Sequence, residues 1–125
     1  LNHILGGDMI WMSRLQNKPA PALSLDTILH ETLAGLRIAR QGVDRDIVHY
    51  VAGLDETQLS AQIDYTPLTA PEPVTQTRLS ALSHLFNHQT HHRGQAHAIL
   101  TRLTGEAPAL DLLYYQREMR IAQVH

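Results

Sequence analysis

The apolar residues that open the chain, Leu1, Ile4, Leu5, Ile10, Trp11, Met12 and Leu15, have the spacing of a helix with most of its surface buried. Gly6 and Gly7 weaken it locally, and Pro19 and Pro21 end it. A second series begins near Ser24 and runs through Leu25, Ile28, Leu29, Leu33, Leu36, Val43, Ile47, Tyr50, Val51 and Leu54. Its steps of three and four predict one long amphipathic helix over residues 25–54, bent at Gly42 and ending near Gly53. Glu31, Arg37, Arg40, Arg45 and Asp46 belong to its exposed face. Over residues 61–76 the period changes: Ile63, Asp64 and Tyr65 alternate before Pro67, Pro71 and Pro73 intervene, giving a loop with room for a small β-hairpin. A third long helix is predicted over residues 77–104, stopped by Gly105 with Pro108 beyond it. Asp111 is placed to cap a last helix reaching Ile121. Three or four helices on short connections predict an all-α bundle.

A length of 125 residues suits one domain, 1–125, and no repeat or low-complexity tract marks a second module. The absence of cysteine excludes disulfides, thiolate zinc sites, iron–sulfur clusters and a cysteine nucleophile within these residues, so any metal must take N or O ligands. No apolar run approaches the roughly 18 residues that span a bilayer, and no basic-then-apolar signal opens the chain, so the expectation is a cytoplasmic protein without a membrane partner. A formal charge of −2 with dispersed arginines supplies no basic stripe for a phosphate backbone, which argues against nucleic acid. The unusual count is nine histidines beside ten Lys and Arg.

Five of those histidines fall in one predicted helix, at positions 84, 88, 91, 92 and 97. At about 100° per residue, His84, His88, His91, His92 and Gln95 share one face, bordering an apolar face of Leu85, Phe86, Ala96, Leu100 and Leu103, while His97 points elsewhere. Imidazoles four residues apart reach one ion, and both His84/His88 and His88/His92 qualify, with His88/His91 a third pair. Two ligands leave a transition metal short, and spacing does not rank His3, His30, His49, Asp8 or Asp64 as the source of another. The same face also fits a set of solvated histidines, or a pH-responsive module whose like charges repel on protonation. Around it, Asp8 falls among apolar neighbours and needs a partner, for which Arg93 is the candidate; a contact to a ligand imidazole is the alternative. Gly94 inside a helix suggests close packing or access to the site, and Gln95 is placed to hydrogen-bond a metal-bound water or a substrate, or to stand as a polar rim. Trp11, Tyr50, Tyr65, Tyr114 and Tyr115 are read as packing residues.

The segment Leu1-Asn-His3-Ile-Leu-Gly-Gly-Asp8-Met-Ile-Trp11, together with His84-Leu-Phe-Asn-His88-Gln-Thr-His91-His92-Arg93-Gly94-Gln95 and Asp111-Leu-Leu-Tyr-Tyr, resembles the DinB-like metalloprotein family over nearly the whole chain. That resemblance implies a four-helix bundle in which His3, His88 and His92 bind a divalent metal, with Gln95, His84, His91 and Asp8 as neighbours of the ligands or of a substrate. His91 stands where relatives often carry another residue type, which argues against it as a ligand. Family members usually have a helix before the His3 segment, so the expectation is a first helix missing from these residues by trimming; coverage by a partner in a homodimer is the alternative. Neutral imidazoles suit Zn, Ni, Fe or Co, and spacing does not select among them. The resemblance further implies a small-molecule substrate, a low-molecular-weight thiol as co-reactant, and thiol-transfer or hydrolytic chemistry in stress response or detoxification. No general base is evident, and the catalytic residues stay unassigned. The competing expectation is a non-catalytic bundle stabilised by metal, or a dimerisation module.

Overall fold

Helix α1 (Asn2–Leu15) forms where the first apolar series predicts it, and buries Leu5, Ile10, Met12 and Leu15. Its stop comes earlier than the prolines: Asn17 takes a left-handed φ of 53°, and Lys18 N–H bonds back to the Ser13 carbonyl at 2.8 Å, so Pro19 and Pro21 follow an end already made. The computed structural model describes residues 1–121 and is mostly helical; His125 lies outside the described residues.

The predicted helix over residues 25–54 is shorter at its start. Helix α2 spans Leu33–Ala52, ends at Gly53 as expected, and is capped by Thr32, whose hydroxyl accepts from Gly35 N–H at 3.1 Å. Residues 16–32 form neither helix nor strand, and Leu25 and Ile28, read as core positions of a helix, are exposed. A short helix α3 (Glu56–Ser60), absent from the expectation, follows. Asp55 and Gln58 close a capping box around its first turn. Strands β1 (Gln62–Tyr65) and β2 (Val74–Thr77) pair antiparallel with Ile63 opposite Gln76, the hairpin expected in the proline-containing segment. Helix α4 (Arg78–Thr104) stops before Gly105, whose φ of +85° suits glycine. Helix α5 (Leu112–Glu118) ends short of Ile121: Arg120 is left-handed at φ 56° and Ile121 N–H reaches the Gln116 carbonyl at 2.8 Å. Asp111 occupies its N-cap position without a side-chain capping bond.

The chain divides into two compact units at His88, inside α4. In the first, Leu1–His88, Met12 and Leu15 of α1, Ile47 of α2, Ile63 of β1 and Ala81, Leu82 and Leu85 of α4 make the core, ringed by Trp11, Val43, Tyr50, Leu54, Leu59 and Tyr65. Tyr50 and Arg78 fasten the end of α1 through the Leu15 carbonyl, which accepts from the phenol at 2.7 Å and from the guanidinium Nε at 3.4 Å. Asp8 is buried at 1% exposure, and its partner is Arg40 of α2, not Arg93. Arg40, expected on the exposed face, therefore ties α2 to α1 and also reaches Asp44 at 2.8 Å. In the second unit no described residue is buried; Leu100, Leu103, Tyr114 and Tyr115 are exposed, against their assignment to packing. Phe86 of the first unit, placed on the same predicted apolar face, is exposed as well.

Candidate metal centre

Helix α1 carries His3 in its first turn, and α4 presents His84, His88 and His92 at successive turns. The rings of His3 and His88 lie 5.4 Å apart between centroids, tilted by 48°. One ring nitrogen from each of His3, His88 and His92 lies within 4.8 Å of the others, and all three residues are half-buried. Nitrogens arranged tetrahedrally about zinc stand roughly 3.3 Å apart, given Zn–N bonds of about 2.0–2.1 Å, so small side-chain rotations bring three donors this close onto one ion.

Hydrogen bonds prepare two of the rings for that role. His3 Nδ1 lies 2.8 Å from the Leu25 carbonyl, and His92 Nδ1 lies 2.8 Å from Oε1 of Gln95. Both oxygens only accept, so each Nδ1 carries a hydrogen, which in the neutral ring leaves the lone pair on Nε2. That is the tautomer in which a ligand histidine donates its other N–H to an oxygen, fixing the ring's orientation. The third ring, His88, is seated by Gly7: a Cβ there would stand 2.9 Å from His88 Cε1.

The surrounding residues divide into neighbours of the ligands and residues held elsewhere. Gln95 contacts His92, a member of the cluster. His91 meets His92 edge-on at 4.9 Å and is exposed. His84 lies 5.8 Å from His88 and rests against Trp11 at 4.6 Å, ring centroid to centroid. Arg14 is held over both Trp11 and Tyr65, at 4.7 and 4.5 Å from their ring centroids, and burial lowers its pKa. Asp8 is engaged by Arg40, and Asp64 accepts from the Thr75 hydroxyl within the hairpin. His30 and His49 are not members of the cluster. Arg93 instead donates within its own helix, to Thr90 Oγ1 at 3.2 Å and Gln89 Oε1 at 3.4 Å. Gly94 has open space where its Cβ would stand, so neither close packing nor the ligand set explains it.

The family model for the DinB family matches residues 1–123. The chain belongs to the DinB family. Its fold is accordingly a helical bundle, here with five helices and one two-stranded sheet among the described residues. No curated protein and no solved structure matches the chain. No described helix is long and apolar enough to cross a membrane.

Sequence reasoning misses two contributors to this DinB histidine cluster, the Leu25 carbonyl and Gly7. The Leu25 carbonyl is a backbone group in a segment with helical spacing, so no side chain announces it. Gly7 is visible as a glycine one turn after His3, but spacing alone marks it only as a weak point in α1. Outside the cluster, Arg40 falls on a face expected to be solvated yet pairs with Asp8.

Proposed function

We propose that this DinB protein binds a divalent transition metal through His3, His88 and His92 and acts as a metal-dependent enzyme on a small molecule, in thiol transfer or hydrolysis. The observation that carries this is the set of three ring nitrogens within 4.8 Å of one another, two of them in rings whose Nδ1–H is already engaged. Neutral imidazoles suit Zn, Ni, Fe or Co. A divalent ion held by three protein ligands supplies Lewis acidity that lowers the pKa of a coordinated water or thiol toward neutrality. The protein's own share is orientation: Leu25 and Gln95 hold the rings of His3 and His92, and Gly7 leaves room for that of His88. A low-molecular-weight thiol as co-reactant, a cytoplasmic role in stress response or detoxification and a homodimeric assembly accompany this proposal.

Metal content of the purified protein, measured for the wild type and for His3→Ala, His88→Ala and His92→Ala, tests the ligand set. One equivalent in the wild type and substoichiometric metal in each variant are expected; full occupancy of His88→Ala overturns the assignment. Thiol conjugates and esters presented to the loaded and chelated protein test the activity. Turnover only in the loaded form supports the enzyme. A large melting shift with metal and no turnover of either class favours the non-catalytic, metal-stabilised bundle.

A further inference from the structure

Between α1 and α2 run seventeen residues without helix or strand, longer than the roughly 12–15 that a compact domain normally leaves unstructured without a use. They are clasped to the first two turns of α1 at three points. The Asn2 side-chain amide brackets the backbone of His30, donating to its carbonyl at 3.0 Å and accepting from its N–H at 3.0 Å. His3 Nδ1–H donates to the Leu25 carbonyl at 2.8 Å. Leu23 and Leu29 lie over Gly6, their methyl carbons 3.9 and 3.7 Å from where a Cβ would stand. Under this strap is a narrow crevice with a cavity volume of only about 10 Å³, lined on one side by His3, Gly6 and Gly7 and on the other by Leu23, Leu25 and Leu29, so the strap is packed close against α1.

One clasp is thus also a proposed metal ligand. A neutral histidine exchanges its single hydrogen between two nitrogens, and in the tautomer with hydrogen on Nε2 the Nδ1 lone pair faces the Leu25 oxygen, so the clasp opens. Coordination at Nε2 removes that tautomer and makes Nδ1–H a stronger donor. We propose that residues 16–32 form a metal-gated strap: an ion at His3 holds it against the first turns of α1 and its loss loosens it, so that metal occupancy sets how tightly the strap is closed. By linkage, whatever holds the strap closed tightens metal binding by the same factor.

The inference rests on His3 being a ligand, and the test separates the two. Hydrogen exchange of the wild-type chain is followed with and without saturating Ni²⁺, whose binding is confirmed by calorimetry. The amides of residues 23–31 are expected to slow by about tenfold more than those of α2, within the 5–150-fold range of ordinary coupling. Asn2→Ala, which loosens the strap without touching a ligand, is expected to weaken Ni²⁺ binding several-fold. Ni²⁺ that binds while strap protection is unchanged, or rises only as much as in α2, overturns the strap. Ni²⁺ that does not bind overturns the three-histidine reading, and the strap with it.

Discussion

In Gly7→Ala the added Cβ stands 2.9 Å from Cε1 of His88, closer than two carbons approach without one of them moving. The group that moves is the tip of a side chain, so without metal the adjustment is a ring displacement costing about 0.5–1.5 kcal/mol if it leaves its rotamer. Against this stands the gain of replacing glycine by alanine inside α1, about 1 kcal/mol. The chelated variant is therefore expected to unfold within about 1 kcal/mol of the wild type. Metal changes the balance, because the same displacement carries a ligand nitrogen away from His3 and His92. Disturbing the support of a ligand histidine typically costs 10–100-fold in affinity, or about 1.4–2.7 kcal/mol.

Two measurements on one variant read these terms separately: urea unfolding in chelator gives the helix term, and competition titration of Ni²⁺ or Zn²⁺ gives the site term. Gly94→Ala is the internal reference, since nothing lies within 4 Å of its added Cβ. It should take the helix gain and leave affinity unchanged. Gly7→Ala binding metal within twofold of the wild type would refute the view that Gly7 seats His88.

Three further substitutions probe one support of that site and two ties between α1 and α2. Gln95→Leu removes the acceptor of His92 Nδ1–H and is expected to weaken metal binding by about tenfold, with little change in the chelated protein's unfolding midpoint. Arg40→Met leaves the Asp8 carboxylate buried without its cation; urea unfolding should show a loss of about 2–4 kcal/mol, somewhat under the cost of a fully enclosed pair because Arg40 is partly exposed. Tyr50→Phe removes the bond to the Leu15 carbonyl and should cost about 1 kcal/mol near neutral pH. Burial raises the Tyr50 pKa above its ordinary 10.0, with Arg78 working against the shift. The unfolded chain thus ionises this phenol first; the stability it contributes is complete below pH 10 and is lost as pH rises from there through the raised value. Unfolding followed from pH 9 to 11 should show a decline that Tyr50→Phe reduces.

How far the sequence could be read depended on whether each interaction leaves a trace in side-chain spacing. Helices α1 and α4 and the hairpin are visible because burial imposes its own period on Leu5, Met12 and Leu15, and on Ala81, Leu82 and Leu85. The pairing of His88 with His92 was one of several candidates that helical geometry allowed. Spacing ranks His3 equal with His30, His49, Asp8 and Asp64, and only the resemblance to the family singles it out; in the structure its ring lies with those of His88 and His92, close enough to hold an ion. Asp8 leaves only half of its interaction in the sequence. Its burial could be inferred from its neighbours, but its partner comes from a helix whose rotation about its axis the sequence does not specify. Helix α3 differs, since the capping-box spacing of Asp55 and Gln58 does mark its start in the sequence.

Residues 24–32 carry the most instructive failure, because their apolar spacing does fit a helix. Had α2 begun at Ser24, the Leu25 carbonyl would accept the N–H of Leu29 inside the helix, leaving it poorly placed to receive His3. The Asn2 amide would likewise have lost the backbone N–H of His30, which a continuous helix spends internally. What outweighs local helix propensity is the sum of these long-range bonds, the packing of Leu23 and Leu29 over Gly6 and the cap that Thr32 provides eight residues later. Each such bond is worth about 1 kcal/mol net, comparable to what a few residues of helix gain from propensity, so the balance is close. A segment so poised is sensitive to one additional interaction at His3, and a metal ion held as proposed would supply one there.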